Sequence, residues 1–177
     1  MIRAALLCLL LAACAAYASA RKPINPHDFA LRIVSATAMH GSICSATAVG
    51  PHEIETAAHC LSYPLRLVND KPATLVSFRK IADDRIRATI AGITFAKWAN
   101  YGNAAQGQRV RFWGQPLGRP FVFREGRIAA VYPDGLLVDT TICAGDSGSG
   151  LFDDAGRLVG VVSFMSDASG CTFAGAR

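Results

Sequence analysis

Two short stretches of the chain hold residue types that can do nucleophilic chemistry. The first, CAGDSGSGLF at 143–152, places an acid directly before Ser147 and surrounds the pair with glycines. Glycine permits positive φ angles, and Asp and Ser bond to nearby backbone, so the same residues also suit an ordinary turn. By itself this stretch leaves two interpretations open, a flexible loop or a loop that holds a nucleophile.

The second stretch is ETAAHC at 55–60, where His59 stands beside Cys60. A serine hydroxyl is a poor nucleophile until a neutral imidazole accepts its proton, and an acid must hold that imidazole in one tautomer. A lone histidine is more often structural. Only the two stretches taken together favour a catalytic pair.

TAAHC and GDSGSG together resemble the chymotrypsin-like (trypsin-like) serine endopeptidases, over roughly residues 30–172. The resemblance implies that His59 is the general base and Ser147 the nucleophile. It also implies an oxyanion hole formed by the N–H groups of Gly145 and Ser147, since the flanking glycines let the backbone bend so that both point to one place. An α/β-hydrolase is disfavoured, because it needs G-x-S-x-G and a histidine after the nucleophile, whereas His59 is the last histidine here.

The acid of the implied triad is the least regular part of the pattern. In DDRIRATIAG, Asp84 is followed by apolar residues at every second position, which suits a strand with one buried face. Asp83 would put two arginines on that face, and Asp70 lies in an NDKP turn signal. The sequence favours Asp84, with Asp83 and Asp70 as alternatives. This irregularity supports the alternative function, a catalytically inactive binding module with the chymotrypsin fold.

A further expectation concerns Asp146. In the family's zymogens, cleavage frees an apolar amino terminus that pairs with the acid before the serine. Ile33 in RIVS superficially resembles such a terminus, but the segment from Ile33 to Cys44 is too short to form the first strand and also reach Asp146. We therefore expect no switch of this type and a different partner for Asp146.

The same resemblance predicts the residues that bind substrate. They are Thr141 and Ile142 before the nucleophile, and Ser163, Phe164 and Met165 at the end of the strand predicted from GRLVGVVSF, residues 156–164. Ser163 is expected to bond the triad acid, and the backbone of 163–165 to pair with an extended substrate. Thr141 stands where relatives that select Arg or Lys carry Asp, and Met165 would narrow the pocket. Cleavage after small or medium apolar residues is therefore expected.

The first 20 residues have the pattern of a secretory signal peptide, with an early Arg3, an apolar run and small residues before cleavage after Ala20. LAAC at 11–14 also resembles a lipobox, in which Cys14 would carry a lipid and attach the protein to a membrane. The two interpretations predict a secreted or periplasmic protein, or one that is lipid-anchored to the cell envelope. Disulfides form and persist in those compartments.

Four cysteines remain after the signal segment, and they allow three pairings. Cys44–Cys60 and Cys143–Cys171 are favoured because the members of each pair are close in sequence, and the first spacing is also similar to that of the family's first disulfide. No C-x-x-C pair supports a metal site. We expect neither a metal nor another cofactor.

Length and composition predict one globular domain. The chain has 177 residues, of which 51% are hydrophobic, and its formal charge of +5 is scattered, which gives no ground for nucleic-acid binding. Short β-branched and aromatic runs recur between turn residues without long helical patterns. We predict an all-β fold, a compact chymotrypsin-like double β-barrel of the six-stranded antiparallel type, with a missing or reduced C-terminal helix.

The expected boundaries are a signal peptide at 1–20, a flexible lead-in at 21–29 and a serine protease domain at 30–177. The two barrels would span roughly 30–100 and 101–177. A monomer that acts on protein or peptide substrates is expected.

Overall fold

The computed structural model describes residues 25–165 and 174–176. Within these residues the chain is all-β, with helical turns only of the short 3-10 type, and no helix is long and apolar enough to span a membrane. The strands are β1 (Ala30–Ala36), β2 (Gly41–Gly50), β3 (Glu53–Ala57), β4 (Leu65–Val68), β5 (Lys71–Pro72), β6 (Thr74–Ala82), β7 (Arg85–Ala91), β8 (Arg109–Gly114), β9 (Val122–Tyr132), β10 (Gly135–Asp139), β11 (Gly150–Phe152), β12 (Leu158–Met165) and β13 (Ala174–Ala176). The 3-10 turns are Pro26–Phe29, Ala58–Leu61 and Pro116–Gly118.

The first half of the molecule is one curled antiparallel sheet in the order β5-β4-β1-β2-β3-β7-β6. Strand β7 shows why the sequence folds this way. Its residues Ile86, Ala88 and Ile90 are buried and alternate with more exposed ones, so one face packs against the core. The alternation inferred from the sequence after Asp84 is therefore present in the strand.

The second half is a closed six-stranded barrel in the order β10-β13-β12-β11-β8-β9. Each half has its own apolar core, the first around Ile33 and Ile54 and the second around Phe112 and Leu151. The predicted all-β, double-barrel fold is confirmed. The first sheet contains a seventh strand because the two-residue β5 adds to its edge.

A third apolar cluster joins the two halves, and it begins in the segment expected to be a flexible lead-in. The structure differs from that expectation at the turn Pro26–Phe29, where the ring of Phe29 is buried 6.0 Å from that of Phe152. The cluster comprises Phe29, Val49, Ala99, Phe152, Leu158 and Val161. Residues 1–24, including the signal segment and Cys14, lie outside the described residues.

Candidate active site

His59 is held at the point where strand β3 ends. The 3-10 turn Ala58–Leu61 follows β3 directly, and Cys60 in this turn forms the disulfide with Cys44 of β2. The turn is therefore tied to the neighbouring strand by a covalent bond. The His59 side chain stays about half exposed, so its ring is accessible from solvent.

Asp84 is the acid that the structure brings to His59. Asp84 Oδ2 lies 2.7 Å from His59 Nδ1, and Asp84 Oδ1 accepts a hydrogen bond of 3.1 Å from the His59 main-chain N–H. The Ser163 hydroxyl donates to Asp84 Oδ2 at 2.8 Å, which is the contact expected for Ser163. With the Nδ1 proton donated to Asp84, the ring presents Nε2 as its proton acceptor.

The two alternative acids lie elsewhere. Asp83, whose side chain is 71% exposed, pairs with Lys80 at 3.3 Å, and Asp70 pairs with Arg32 on the surface. Asp84, and not Asp83, reaches His59 because it is the last residue of the β6–β7 turn. There its carbonyl accepts a hydrogen bond of 3.0 Å from the Ala58 N–H as β7 begins its pairing with β3.

The loop that carries Ser147 depends on its two flanking glycines. Gly145 has a φ of +98° and Gly148 a φ of +88°, which L side chains rarely adopt. A Cβ atom on Gly145 would lie 2.2 Å from the Gln115 carbonyl oxygen, and one on Gly148 would lie 1.9 Å from the Ser45 carbonyl oxygen. The loop can pack this closely only because both positions lack a side chain.

Ser45 anchors this loop beside the disulfide. Its N–H donates to the Ser147 carbonyl at 2.8 Å, and its hydroxyl donates to the Gly145 carbonyl at 3.0 Å. Because Ser45 follows Cys44, the bridge that holds His59 and the loop that holds Ser147 share one stretch of β2. The structure therefore brings the two motifs of the sequence together.

The N–H groups expected to form the oxyanion hole belong to Gly145 and Ser147. Among the described residues, none accepts a hydrogen bond from either group. The oxyanion hole therefore stays a prediction, for which both N–H groups are free of acceptors in this part of the structure.

Asp146 is fully buried, and its partner is Arg124 on β9. The Arg124 guanidinium contacts Asp146 Oδ2, which also accepts a hydrogen bond of 2.8 Å from the Cys143 N–H. Burial raises the pKa of Asp146, although Cys143 and Arg124 both act to lower it. This finding answers the expectation that Asp146 has a partner other than a new amino terminus.

Sequence reasoning missed Arg124, yet a signal for it was present. On β9, Val122, Arg124 and Ile128 share the period-two face that points inward, and Arg124 is paired in register with the buried Phe112. An arginine on the inward face of a barrel strand indicates a buried acidic partner, because an unpaired charge there would be costly.

Removing the Arg124 charge should be strongly destabilising. We expect Arg124→Met to lower the free energy of unfolding by about 3 to 5 kcal/mol near neutral pH, because it leaves the Asp146 carboxylate buried without its cation. This loss of stability should be smaller at acidic pH, because a protonated Asp146 no longer buries an unpaired charge. Urea unfolding at several pH values measures this, with Arg124→Met/Asp146→Asn expected to recover part of the loss. Equal losses in the single and double variants would contradict the pairing.

The residues predicted to bind substrate fall into two groups. Thr141 is exposed, whereas the Ile142 side chain is buried in the core of the second barrel, so Thr141 alone of this pair presents its side chain at the surface. Phe164 and Met165 lie in β12, where their backbone pairs with β13 along one edge. On the other edge, the described pairing of β12 with β11 ends at Val161.

The predicted disulfide between Cys44 and Cys60 is present. Cys171 lies outside the described residues, so its pairing with Cys143 stays a prediction.

This double-barrel fold is that of a chymotrypsin-like serine protease. The chain belongs to the trypsin-like peptidase domain family, whose model matches residues 44–161. No curated protein matches the chain at a significant level.

Solved structures share the fold at low sequence identity. The active form of the Rv3671c protease from M. tuberculosis is 19% identical with a TM-score of 0.71, and the match covers 84% of this chain and 75% of that chain. An HtrA-type protease, AlgW with a tripeptide, is 20% identical with a TM-score of 0.69, covering 86% of this chain and 59% of that chain.

Proposed function

We propose that the protein is a serine endopeptidase that uses Ser147, His59 and Asp84 as a catalytic triad. The observation that carries the proposal is the 2.7 Å contact between His59 Nδ1 and Asp84 Oδ2, beside the loop that holds Ser147. An ionised Asp84 keeps the Nδ1 proton in place and stabilises the imidazolium when it forms.

The reaction begins when Ser147 Oγ attacks the scissile carbonyl carbon and its proton passes to His59 Nε2. The carbonyl oxygen becomes an oxyanion that accepts hydrogen bonds from the Gly145 and Ser147 N–H groups. The C–N bond then breaks, His59 gives its proton to the leaving amine, and an ester remains on Ser147. A water molecule that loses a proton to His59 hydrolyses this acyl-enzyme and restores the Ser147 hydroxyl.

We also propose that the enzyme acts outside the cytoplasm. The signal pattern ending at Ala20 supports export, and the Cys44–Cys60 disulfide is of the kind that persists in an oxidising compartment. Processing at Cys14 instead would give a lipid-anchored form.

The proposed preference is for small or medium apolar residues, such as Ala, Val or Leu, before the scissile bond. It rests on Thr141, which offers no carboxylate to pair with a cationic side chain, so that binding Arg or Lys would desolvate an unpaired charge. Met165 is proposed to narrow the pocket.

A peptide library of proteome-wide diversity, digested by the purified enzyme, tests both the activity and the preference. We expect cleavage sites dominated by small and medium apolar residues, and none with a Ser147→Ala preparation, which controls for a contaminating protease. A profile dominated by Arg or Lys would overturn the preference. A profile dominated by Phe or Tyr would show that Met165 does not close the pocket, and no cleavage at all would count against the protease proposal.

A further inference from the structure

Glu55 is a fully buried acid that takes no part in the proposed reaction. It lies on β3, four residues before His59, and both of its carboxylate oxygens are engaged. Oε2 accepts a hydrogen bond of 2.8 Å from Arg85 Nε, and Oε1 accepts one of 2.8 Å from Arg87 Nη2. The Tyr101 hydroxyl donates to Oε1 at 2.5 Å.

The charge state of this cluster follows from its contacts. Burial alone would raise the pKa of Glu55, but Arg85, Tyr101 and Arg87 together lower it below its usual value. Burial and the contact with Glu55 raise the pKa of Tyr101, so its hydroxyl keeps the proton that it donates. One carboxylate therefore holds two guanidinium groups and a phenol in fixed positions.

The two arginines tie the cluster to the register of β3 against β7. Glu55 stands directly opposite Arg87, and Ala57 stands opposite Arg85, so Glu55 reaches one arginine across the strands and the other diagonally. A shift of one residue would turn each arginine to the other face of the sheet and break both contacts. The contacts of Glu55 with both arginines therefore oppose such a shift.

The same register places the proposed acid and base. Asp84 directly precedes Arg85, and the pairing that puts Arg85 opposite Ala57 also brings the Ala58 N–H to the Asp84 carbonyl at 3.0 Å. One residue further on, the His59 N–H donates to Asp84 Oδ1. The distance between the His59 ring and the Asp84 carboxylate is therefore set where β3 meets β7.

Tyr101 connects the cluster to the other side of Asp84. It lies between the two barrels and forms an isolated bridge with Leu158 of β12. Strand β12 also carries Ser163, whose hydroxyl donates to Asp84 Oδ2. The cluster thus contacts β12, which carries Ser163, and includes a residue of β3, the strand that leads into the turn with His59.

We infer that Glu55 is a positioning residue, which fixes the register of β3 and β7 and the adjoining β12 contact so that Asp84 holds His59 in the reactive orientation. This inference rests on the proposed function. It goes beyond it in assigning to a buried ion cluster an effect on the geometry of the triad, in addition to any effect on stability.

The test compares Glu55→Gln with Asp153→Asn, a matched loss of a buried carboxylate that pairs with Arg157 at 2.7 Å in the β11–β12 turn. Both variants should unfold at lower urea concentrations than the wild type. In Glu55→Gln we expect kcat to fall by about 10- to 100-fold with KM within about twofold, because small displacements of catalytic groups cost that much. Asp153→Asn should keep the kcat of the wild type.

A second readout does not require turnover. The proton between His59 Nδ1 and Asp84 Oδ2 should give a low-field NMR resonance, which we expect to shift or disappear in folded Glu55→Gln and to stay in place in Asp153→Asn. If Glu55→Gln keeps both the resonance and the kcat of the wild type, the inference is wrong. A wild type that is folded but inactive would overturn the proposed function instead, and the resonance would still test the inference.

Tyr101→Phe covers the case in which Glu55→Gln does not fold. It removes the hydrogen bond to Glu55 and the one that the hydroxyl accepts from Arg87. Because the side chain is about half exposed and the two charged groups keep each other as partners, the change should cost less stability than Glu55→Gln. We expect a severalfold lower kcat and a displaced resonance in this variant. Wild-type values for both would overturn the inference.

Discussion

Replacing Ser147 by Ala should lower peptide turnover by about 10⁴- to 10⁶-fold while the fold stays intact. The change removes the nucleophile and leaves the Gly145 and Ser147 N–H groups and the binding surface in place. Because the members of a triad act as a unit, His59→Ala should cause a loss of similar size. Turnover is measured on the best peptide from the library, and circular dichroism reports the fold.

Ser149 provides the matched control for this experiment. It lies in the same loop and is almost fully buried, and among the described residues its hydroxyl makes one long hydrogen bond of 3.4 Å, to the Trp113 carbonyl. We expect Ser149→Ala to stay within about tenfold of the wild type, because the loss of one weak neutral hydrogen bond is small. If Ser147→Ala were active and Ser149→Ala inactive, Ser147 would not be the nucleophile and the assignment would have to move to Ser149.

Replacing Asp84 by Asn should lower kcat by about 10⁴-fold. The amide preserves the shape of the side chain but favours the imidazole tautomer that lacks a proton on Nδ1, so Nε2 can no longer accept the serine proton. Kinetics of the purified variant measure the loss.

Asp83→Asn is the control, since Asp83 is adjacent in sequence yet exposed and paired with Lys80. It should keep nearly wild-type kcat. If Asp83→Asn were inactive and Asp84→Asn active, the acid would have to be reassigned by one residue.

Much of the fold could be predicted from local patterns, because its strands bury one face and expose the other. The apolar positions after Asp84 predicted both a strand and its buried face, and β7 has that face. The same alternation favoured Asp84 over Asp83. The bend of the loop that carries Ser147 could also be predicted, because its glycines permit positive φ angles. Gly145 and Gly148 both adopt them.

The rest could not be predicted, because it depends on contacts between residues far apart in the chain. The inward position of Arg124 on β9 indicates a buried acid, but not which one, because Arg124 reaches Asp146 only once β9 closes the second barrel. Likewise, Glu55 was visible in ETAAHC, but its role depends on β7 and on Tyr101 beyond it. Phe29 comes before the first strand, so no strand pattern indicates its burial. It is buried because the two halves of the molecule pack together around it.

The most direct test of the account is covalent labelling of the purified wild-type protein with a fluorophosphonate probe, followed by mass spectrometry of its peptides. Such probes react with a serine that a neighbouring base has activated, so we predict a single label on Ser147. The labelling should slow strongly in His59→Ala and Asp84→Asn. A folded protein that takes up no label at Ser147 would contradict the account and favour a binding module with the same fold.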